Sequence, residues 1–310
     1  MTKHPALNGI RVLDVSSVLS GPLAAMLLAD LGAEVIKVEP PNIPDFTRGT
    51  GDARNGMTAY FYNTNRGKRA ISVNGRQPEG QRILQQLADQ ADVLIQNMRP
   101  GKASGIGLDP SQCLQRNPAL IYASINGYGT VGPMSEEPVY DYVIQAVTGI
   151  VDVQRDRASG TADLSHHFPA DKITSHALVE AILAALFARE RHPDRRGQEV
   201  EVSMHEANLA YMWPDAMMQH SIVGDIDGPG IYPGEYYRVY STIDGAVVVM
   251  PLMGPMAGIC EAINRPELAK DPRFQALDAS NLDEFQDLLA EQISKWTTQE
   301  TLSAFSEHDV

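Results

Sequence analysis

The stretch GIRVLDVSSVLSGPLAAMLLADLGAEVIKVEP, residues 9–40, is the most informative about the architecture because it holds a strand, a helix and a second strand in succession. IRVLDVS (10–16) is an apolar run that predicts a buried strand. GPLAAMLLADLG (21–32) predicts a helix, with Pro22 suited to its first turn and Gly32 to its C-cap. AEVIKVE (33–39) predicts the next strand. Such a unit is typical of a right-handed crossover between parallel strands.

The same alternation continues along the first two hundred residues. Further strands are predicted at 69–74, 92–97, 119–125 and 197–204, and further helices at 79–90, 110–116, 140–151 and 171–191. After the Gly/Pro-rich stretch 224–235 the pattern changes to paired strands at 236–242 and 245–251, with helices at 254–264, 283–296 and 298–307. We therefore predict a large α/β domain with a mostly parallel sheet over 1–223 and a smaller α+β domain over 224–310.

Composition excludes several classes of function. The chain is 43% hydrophobic and has a formal net charge of −14, so nucleic acid and anionic membranes would repel it, and no apolar run is long enough to span a bilayer. A small anion held by a local basic cluster remains compatible with this charge. Cys113 and Cys260 lie far apart, which disfavours a disulfide or a thiolate metal site and fits a reducing cytoplasm. His166 and His167 lack a third ligand at suitable spacing, so no metal site is predicted.

Nucleotide-binding motifs are not found after the first predicted strand. SSVLSGPLAAM contains neither G-x-G-x-x-G nor a Walker lysine, which disfavours a plain NAD or P-loop site. Basic residues gather instead in two windows that follow predicted strands: Arg66, Lys68, Arg69 and Arg76, then Arg99 and Lys102. These windows are either solvated basic turns or a docking site for phosphate groups at the carboxyl ends of strands, and spacing alone leaves both open.

Asp171 opens the long apolar helix in HFPADKITSHALVEAILAALFARERH (167–192). An aspartate at this position is typical of a helix N-cap, where its charge suits the helix dipole. An ionised carboxylate facing a dry cleft can also act as a covalent nucleophile. Periodicity does not choose between the cap and the nucleophile.

Seven segments together resemble the class III CoA-transferases, the formyl-CoA and carnitine-CoA transferase family that also contains the α-methylacyl-CoA racemases. The matching stretches cover essentially the whole chain: LNGIRVLDVSSVLSGPLAAMLLADLGAEVIKVEPP (7–41), NTNRGKRAISVN (63–74), ADVLIQNMRPG (91–101), NPALIYASINGYGTVGP (117–133), YDYVIQAVTGI (140–150), ADKITSHALVEAILAALFARE (170–190) and RRGQEVEVSMHEA (195–207).

The resemblance implies a large Rossmann-like domain, a smaller α+β domain and an interlocked, ring-like homodimer in the cytoplasm. It also implies transfer of CoA from an acyl-CoA to a free carboxylic acid through an aspartyl-CoA thioester, with no metal and no permanently bound cofactor. Asp171 occupies the nucleophile position, and Tyr140 and Asp141 are candidates for supporting roles. The family's CoA-binding positions correspond to Ser17, Val18, Leu19, Ser20, Val73, Arg76, Asn97 and Met98, with Arg66, Lys68 and Arg99 as lesser helpers.

Departures from the family pattern keep two alternatives open. Leu19 replaces the glutamine of formyl-CoA transferases, which argues against formyl or oxalyl chemistry. Tyr140 replaces the histidine of the racemases, and a tyrosine is a poor acid/base near neutral pH, which argues against racemisation without removing that alternative. The second alternative is a non-catalytic CoA-binding protein, since the chain ends at Val310, before the family's return segment to the large domain. DGPGIYPG (227–234) is the nearest candidate for the glycine-rich loop that some members place over the active site.

Overall fold

The structure, a computed structural model, describes residues 5–156, 159–225, 232–251, 256–278 and 280–310. It divides into two compact units, Met1–Trp213 and Pro214–Val310. The sequence places the domain boundary at residue 224 instead, and that boundary stays a prediction. Residues 227–231 of the candidate glycine-rich loop lie outside the described residues.

The first unit is built around strands that are mostly apolar on both faces. In chain order they are β1 (Arg11–Asp14), β2 (Glu34–Glu39), β3 (Ala53–Arg54), β4 (Met57–Thr58), β5 (Arg69–Ser72), β6 (Val93–Gln96), β7 (Ile121–Asn126) and β8 (Gln198–Ser203). Within the described part of the chain, β3 and β4 form a small hairpin and the other six form one sheet in the order β5-β2-β1-β6-β7-β8.

Every neighbouring pair in this sheet is parallel. The chain first adds strands on one side of β1 and then returns to add β6, β7 and β8 on the other side. This doubly wound order reverses between β1 and β6, and open parallel sheets bind their ligands at the carboxyl ends of the strands flanking such a reversal. The α/β, Rossmann-like expectation is confirmed.

Helices cover both faces of the sheet. In chain order they are α1 (Ser20–Asp30), α2 (Ala59–Asn65), α3 (Pro78–Asp89), α4 (Pro110–Arg116), α5 (Asp141–Val147), α6 (Ile150–Val153), α7 (Pro169–Arg191) and α8 (Met204–Met212). Val12 and Val93 share one buried cluster with α1 and α7, whereas Leu13 and Leu94, one position later on the same strands, share another with α3 and α4. This alternation explains why the strands are apolar without a polar face.

Two features of the first unit differ from the sequence prediction. The helix predicted over 140–151 is two helices, because Gly149 takes a left-handed φ of 85° that ends the first and starts the second. The short helix α2 was not predicted. It begins after Thr58, whose hydroxyl accepts a hydrogen bond from the Phe61 N–H at 3.1 Å, an N-cap signal that the sequence does contain.

The second unit combines an antiparallel hairpin with helices, as the α+β prediction requires. The hairpin pairs β9 (Arg238–Ser241) with β10 (Ala246–Val249), and the helices are α9 (Met256–Ala262), α10 (Leu282–Ile293) and α11 (Thr298–Glu307). Its core contains Tyr240, Phe274 and Phe285, each almost fully buried. No helix within the described ranges of either unit is both long and apolar enough to cross a bilayer.

Candidate active site

The loop that leaves β1 and the segment that leaves β6 are joined at the reversal of the strand order. The side chain of Asn97 accepts a hydrogen bond from the Ser17 N–H at 2.9 Å and donates one to the Ser17 carbonyl at 2.7 Å. One amide side chain therefore satisfies both backbone groups of a loop residue. This two-point contact fixes the loop relative to the sheet edge where a ligand is expected.

The residues on either side of Ser17 are anchored by buried charges. Asp14 accepts hydrogen bonds from the N–H and the hydroxyl of Ser16, and the Lys37 ammonium donates to the Ser16 carbonyl at 3.0 Å. Val18 has a left-handed φ of 70°, which is unusual for a β-branched residue. Its N–H donates to the Asp45 carboxylate at 3.2 Å, so the strained conformation is held by a specific partner.

These anchoring charges compensate one another. Lys37 lies 3.0 Å from Asp45 and 4.0 Å from Asp14, and Lys68 lies 2.8 Å from Asp14. Burial by itself would raise the pKa of Asp14, but the ammonium groups of Lys68 and Lys37 and the hydrogen bonds from Lys68 and Ser16 bring that pKa below its usual value. The Asp14 carboxylate is therefore held ionised inside the fold.

Asp171 is the third residue of α7 and not its cap. The N-cap position belongs to Phe168, which is followed by Pro169 in the first turn, and no side chain caps the helix. The cap reading of Asp171 is therefore wrong. The proline stiffens the first turn and lacks the N–H that would otherwise need a partner, so the helix starts without a capping side chain.

The Asp171 carboxylate points toward the start of α1. Hydrogen bonding by the side chain and the backbone of Ser20, the first residue of α1, lowers its pKa. The Asp171 N–H donates to the Asp141 carboxylate at 2.9 Å, and the other oxygen of Asp141 accepts from Gln145 at 2.6 Å. Asp171 therefore lies between the N-terminal ends of two helices and beside a second, buried carboxylate.

The electrostatics of Asp171 are unusual for an aspartate near two helix N-termini. Burial and the neighbouring charge of Asp141 raise its pKa to about 6, and the hydrogen bonds from Ser20 only partly oppose this rise. Within the described residues, Asp171 forms no ion pair with a lysine or arginine. The acid is consequently mostly ionised at pH 7 and, among the described residues, lacks a compensating cation.

An aromatic wall stands beside the two carboxylates. Phe168 stacks on Tyr60 with a centroid distance of 6.1 Å and contacts Tyr142 at 5.5 Å. Burial, together with the charges of Asp171, Asp45 and Asp141, raises the pKa of Tyr60 to about 12, so its phenol stays protonated and can donate a hydrogen bond.

A cavity of about 270 Å³ opens in front of Asp171. Its walls come from the segments that follow β1, β6 and β7, from the loop before α5 and from the starts of α7 and α8. Seven of its lining residues are among the sequence-predicted site residues: Ser17, Val18, Ser20, Asn97, Met98, Tyr140 and Asp171.

The other predicted site residues lie outside that lining. Leu19 and Val73 are buried in the interior, and Asp141 is buried behind Asp171. Arg76 is exposed two residues beyond Asn74, whose side chain accepts its N–H at 3.2 Å. Tyr140, at the N-cap of α5, is 72% exposed, so it lies at the rim of the cavity rather than at its base.

The basic windows separate into two groups. Arg66 pairs with Asp30, Lys68 with Asp14 and Arg69 with Glu34, so three of the cations are satisfied within the fold. Lys68 is almost completely buried and is not available to a ligand, which corrects its assignment as a helper. Arg76, Arg99 and Lys102 are exposed, and Arg99 also lines the cavity.

Sequence reasoning missed several residues of this region. Asn126 and Gly127 line the cavity at the carboxyl end of β7, a position that the rule for parallel sheets would have identified. Tyr60 and Asp45 gave no comparable signal, because they lie in short segments whose placement depends on contacts distant in sequence. No group of three His, Cys, Asp or Glu residues in the described ranges is arranged to hold a metal ion.

Comparison with known proteins gives one consistent result. The sequence model of CoA-transferase family III matches residues 7–310. The chain is 34% identical over 280 residues to an acetyl-CoA:oxalate CoA-transferase of Acetobacter aceti, covering 86% of this chain and 69% of that protein. It is 32% identical over 318 residues to a succinate–glutarate CoA-transferase of Agrobacterium fabrum, covering 97% and 78%.

Solved structures agree with the sequence comparison. A CAIB/BAIF family protein from Brucella suis superposes with a TM-score of 0.84 at 30% identity, covering 99% of this chain and 83% of that one. The similarity therefore extends through both compact units of the described chain and is not restricted to the parallel sheet.

Proposed function

The chain belongs to CoA-transferase family III and acts on acyl-CoA thioesters, and from this premise we propose that Asp171 is the nucleophile that accepts CoA during transfer. One observation supports this choice above the others. Asp171 is a carboxylate on the wall of the cavity at the strand-order reversal, and it has no cation to neutralise it within the described residues. A carboxylate that is ionised yet poorly solvated is a stronger nucleophile than one in water.

The proposed reaction proceeds by exchanges at carbonyl carbons. An Asp171 oxygen attacks the thioester, the C–S bond breaks, and a mixed anhydride and CoA thiolate result. The thiolate attacks the aspartyl carbonyl carbon, releases the donor carboxylate and leaves an aspartyl-CoA thioester. The acceptor carboxylate then attacks that carbon, and the freed thiolate attacks the acceptor acyl carbon, which restores the Asp171 carboxylate. No proton is consumed, which suits a site without an assigned general base.

The remaining residues of the cavity are proposed to orient CoA. Ser17, Val18, Asn97 and Met98 line the path along the sheet edge, and their loop is fixed by the Ser17–Asn97 hydrogen bonds. Arg76 and Arg99 are exposed cations that follow β5 and β6, and they are suited to CoA phosphates. Preorganised contacts of this kind supply orientation, which lowers the barrier of a reaction between two bound species.

The two relatives named above act on oxalate, succinate or glutarate according to their names, and all three are dicarboxylic acids. We propose a dicarboxylic acid as acceptor or as the acid part of the donor. Tyr140 at the rim and the buried Asp141 keep their proposed supporting roles, Asp141 by fixing the start of α7 through the Asp171 N–H. The homodimer implied by the resemblance stays a prediction.

Asp171→Ala is the direct test. The variant should fold, because the side chain caps no helix, and its transfer rate should fall by roughly 10⁴-fold or more, as for loss of other covalent nucleophiles. Wild-type protein incubated with succinyl-CoA, and in parallel with acetyl-CoA and with glutaryl-CoA, should show a CoA adduct on the peptide containing Asp171 by mass spectrometry.

Glu180→Ala, on the exposed side of the same helix, is the matched control and should leave transfer unchanged. Retained transfer in Asp171→Ala, or an adduct confined to another peptide, would overturn the assignment.

A further inference from the structure

Ser20 contributes two hydrogen-bond donors to one acid. It is the first residue of α1, is 4% exposed and lines the same cavity as Asp171, and hydrogen bonding by its side chain and its backbone lowers the pKa of that acid. The first N–H groups of a helix have no partner inside the helix. In α1 the earliest intrahelical bond is donated by Leu23, to Leu19 at 2.8 Å, and Pro22 has no N–H. The Ser20 N–H is therefore available to a group outside the helix.

The position of Ser20 is fixed from three directions. Its carbonyl accepts a hydrogen bond from the Ser175 hydroxyl at 2.8 Å, which ties the start of α1 to the first turns of α7. The next residue, Gly21, packs against Ser16 so closely that a Cβ atom there would lie 2.3 Å from the Ser16 Cβ. Ser16 is in turn held by Asp14 and Lys37. The two donors are therefore aimed at Asp171 before any substrate arrives.

We propose that Ser20 stabilises the oxyanion that forms on the Asp171 side chain each time its carbonyl carbon is attacked. This inference rests on the proposed function, since only an acylated Asp171 has a carbonyl carbon to attack. As CoA thiolate adds to the mixed anhydride, the C–S bond forms and the carbonyl electron pair moves to the aspartyl oxygen. The same charge returns when the acceptor carboxylate adds to the thioester. Each intermediate collapses by expelling a carboxylate or the thiolate.

The two donors suit this task because charge develops where they already point. Hydrogen bonds to a full carboxylate become weaker when that carboxylate is acylated, since a neutral ester-type carbonyl accepts less strongly. They become strong again as the tetrahedral oxyanion forms, so the stabilisation is larger in the transition state than in the acylated ground state. Two fixed donors in a poorly solvated site act without reorganising water.

Ser20→Ala tests the side-chain donor while leaving the backbone donor in place. Loss of one oxyanion donor in other enzymes reduces kcat by roughly 10²–10³-fold. We expect kcat for transfer to fall by about 10²-fold, while KM for succinyl-CoA changes by less than about threefold. The same change removes a hydrogen bond that lowers the pKa of Asp171, so the acid limb of the pH–rate profile should move above about pH 6.

Ser175→Ala is the matched control. Its hydroxyl is equally buried and contacts the same two residues, but it donates to their backbone carbonyls and not to the carboxylate. It should lower the free energy of unfolding, and it should move the acid limb of the pH–rate profile by less than Ser20→Ala does, because both Ser20 donors remain. Ser20→Cys keeps a similar volume with a weak donor, so it tests the hydroxyl if the alanine variant proves unstable, and it should show the same loss of kcat.

The outcomes separate this inference from the proposed function. If wild-type protein forms no adduct on the Asp171 peptide, the proposed function fails and Ser20 has no acylated partner. If the wild-type adduct forms but the alanine and cysteine variants keep kcat within about twofold and an unmoved acid limb, the Ser20 inference alone is overturned. A fall in kcat together with an upward shift of the acid limb supports it.

Discussion

Two aspartates border the short loop between β1 and α1, and the pKa values of their carboxyl groups are shifted in opposite directions. Asp14, at the end of β1, is completely buried and lies near the ammonium groups of Lys37 and Lys68. Asp171 meets the other end of the loop at Ser20, and the neighbouring carboxylate of Asp141 helps to raise its pKa. The pKa falls below its usual value for Asp14 and rises to about 6 for Asp171.

One fold therefore holds one buried carboxylate with paired cations and, among the described residues, another without them. Paired cations offset the cost of burying Asp14, which then serves as an anchor for Ser16. The hydrogen bonds of Ser20 and the helix N-termini stabilise the negative charge of Asp171, but among the described residues no paired cation does. Its ionised form therefore has a higher free energy than it would have in water. Such uncompensated acids are concentrated at functional sites.

Asp14→Asn should give the largest change in stability. The substitution keeps the shape of the side chain but leaves Lys37 and Lys68 buried with less compensation, which costs about 3–5 kcal/mol. Urea denaturation at pH 7 measures the loss. Asp30→Asn is the control, because its exposed pair with Arg66 is worth less than about 1 kcal/mol. Equal effects of the two substitutions would remove the contrast between buried and exposed pairs.

Asp171→Asn should have the opposite effect on stability and should stabilise the folded protein at alkaline pH. Because the pKa of Asp171 in the folded state, about 6, lies above its model value of 3.8, the native state binds more protons than the unfolded state between these values. Stability is therefore lost as pH rises through this window. The amide removes that cost, so the variant should be more stable at pH 8, by at most about 3 kcal/mol, and the gain should shrink toward pH 4.

The urea denaturation midpoints of the wild-type protein and the variant, compared at pH 8 and at pH 4, check the sign of this stability change. Glu180→Gln on the exposed side of α7 should change stability by less than about 0.5 kcal/mol at either pH. A variant that is less stable than wild-type protein at pH 8 would mean that the charge of Asp171 is compensated after all.

Asp141→Asn should give the smallest effect, and it tests whether the two neighbouring carboxylates are coupled. Removing the neighbouring negative charge lowers the pKa of Asp171, so the acid limb of the pH–rate profile should move to lower pH. At pH 5.5 the rate should rise relative to the rate at pH 8, by less than roughly tenfold. The single amide oxygen replaces two acceptors that now bind Asp171 and Gln145, which should cost about 1 kcal/mol of stability.

Asp152→Asn, an exposed change on α6, serves as the control for that profile. An acid limb that stays in place or moves upward in Asp141→Asn contradicts the coupling of the two carboxylates.

The fold could be predicted from the sequence because its signal is local. Apolar runs such as RVLD and VLIQ are buried on both faces, and helices with apolar stripes separate them, so the parallel sheet follows from pattern alone. The break at Gly149 and the helix after Thr58 were harder to predict, since each of them depends on a single residue. The cavity-lining loop residues were predicted through the family resemblance, not through spacing.

The character of the site could not be predicted in the same way. Whether Asp171 caps its helix or faces a cavity depends on Ser20, and whether Lys68 binds a ligand or an internal acid depends on Asp14. Both partners lie far away in the sequence. Periodicity reports which face of an element is apolar, but it does not report which polar side chains meet across the core.

The hydrogen bond from the Ser175 hydroxyl to the Ser20 carbonyl has a consequence for biosynthesis. Ser20 and Ser175 are 155 positions apart along the chain, so α1 leaves the ribosome long before α7 does. Asp171 and the Ser20 donors can meet only after α7 has been synthesised. A nascent chain that already has β1 and α1 therefore lacks the proposed nucleophile. On the proposed mechanism, acyl-CoA in the surrounding solution is not attacked until the first unit has been synthesised well beyond its midpoint.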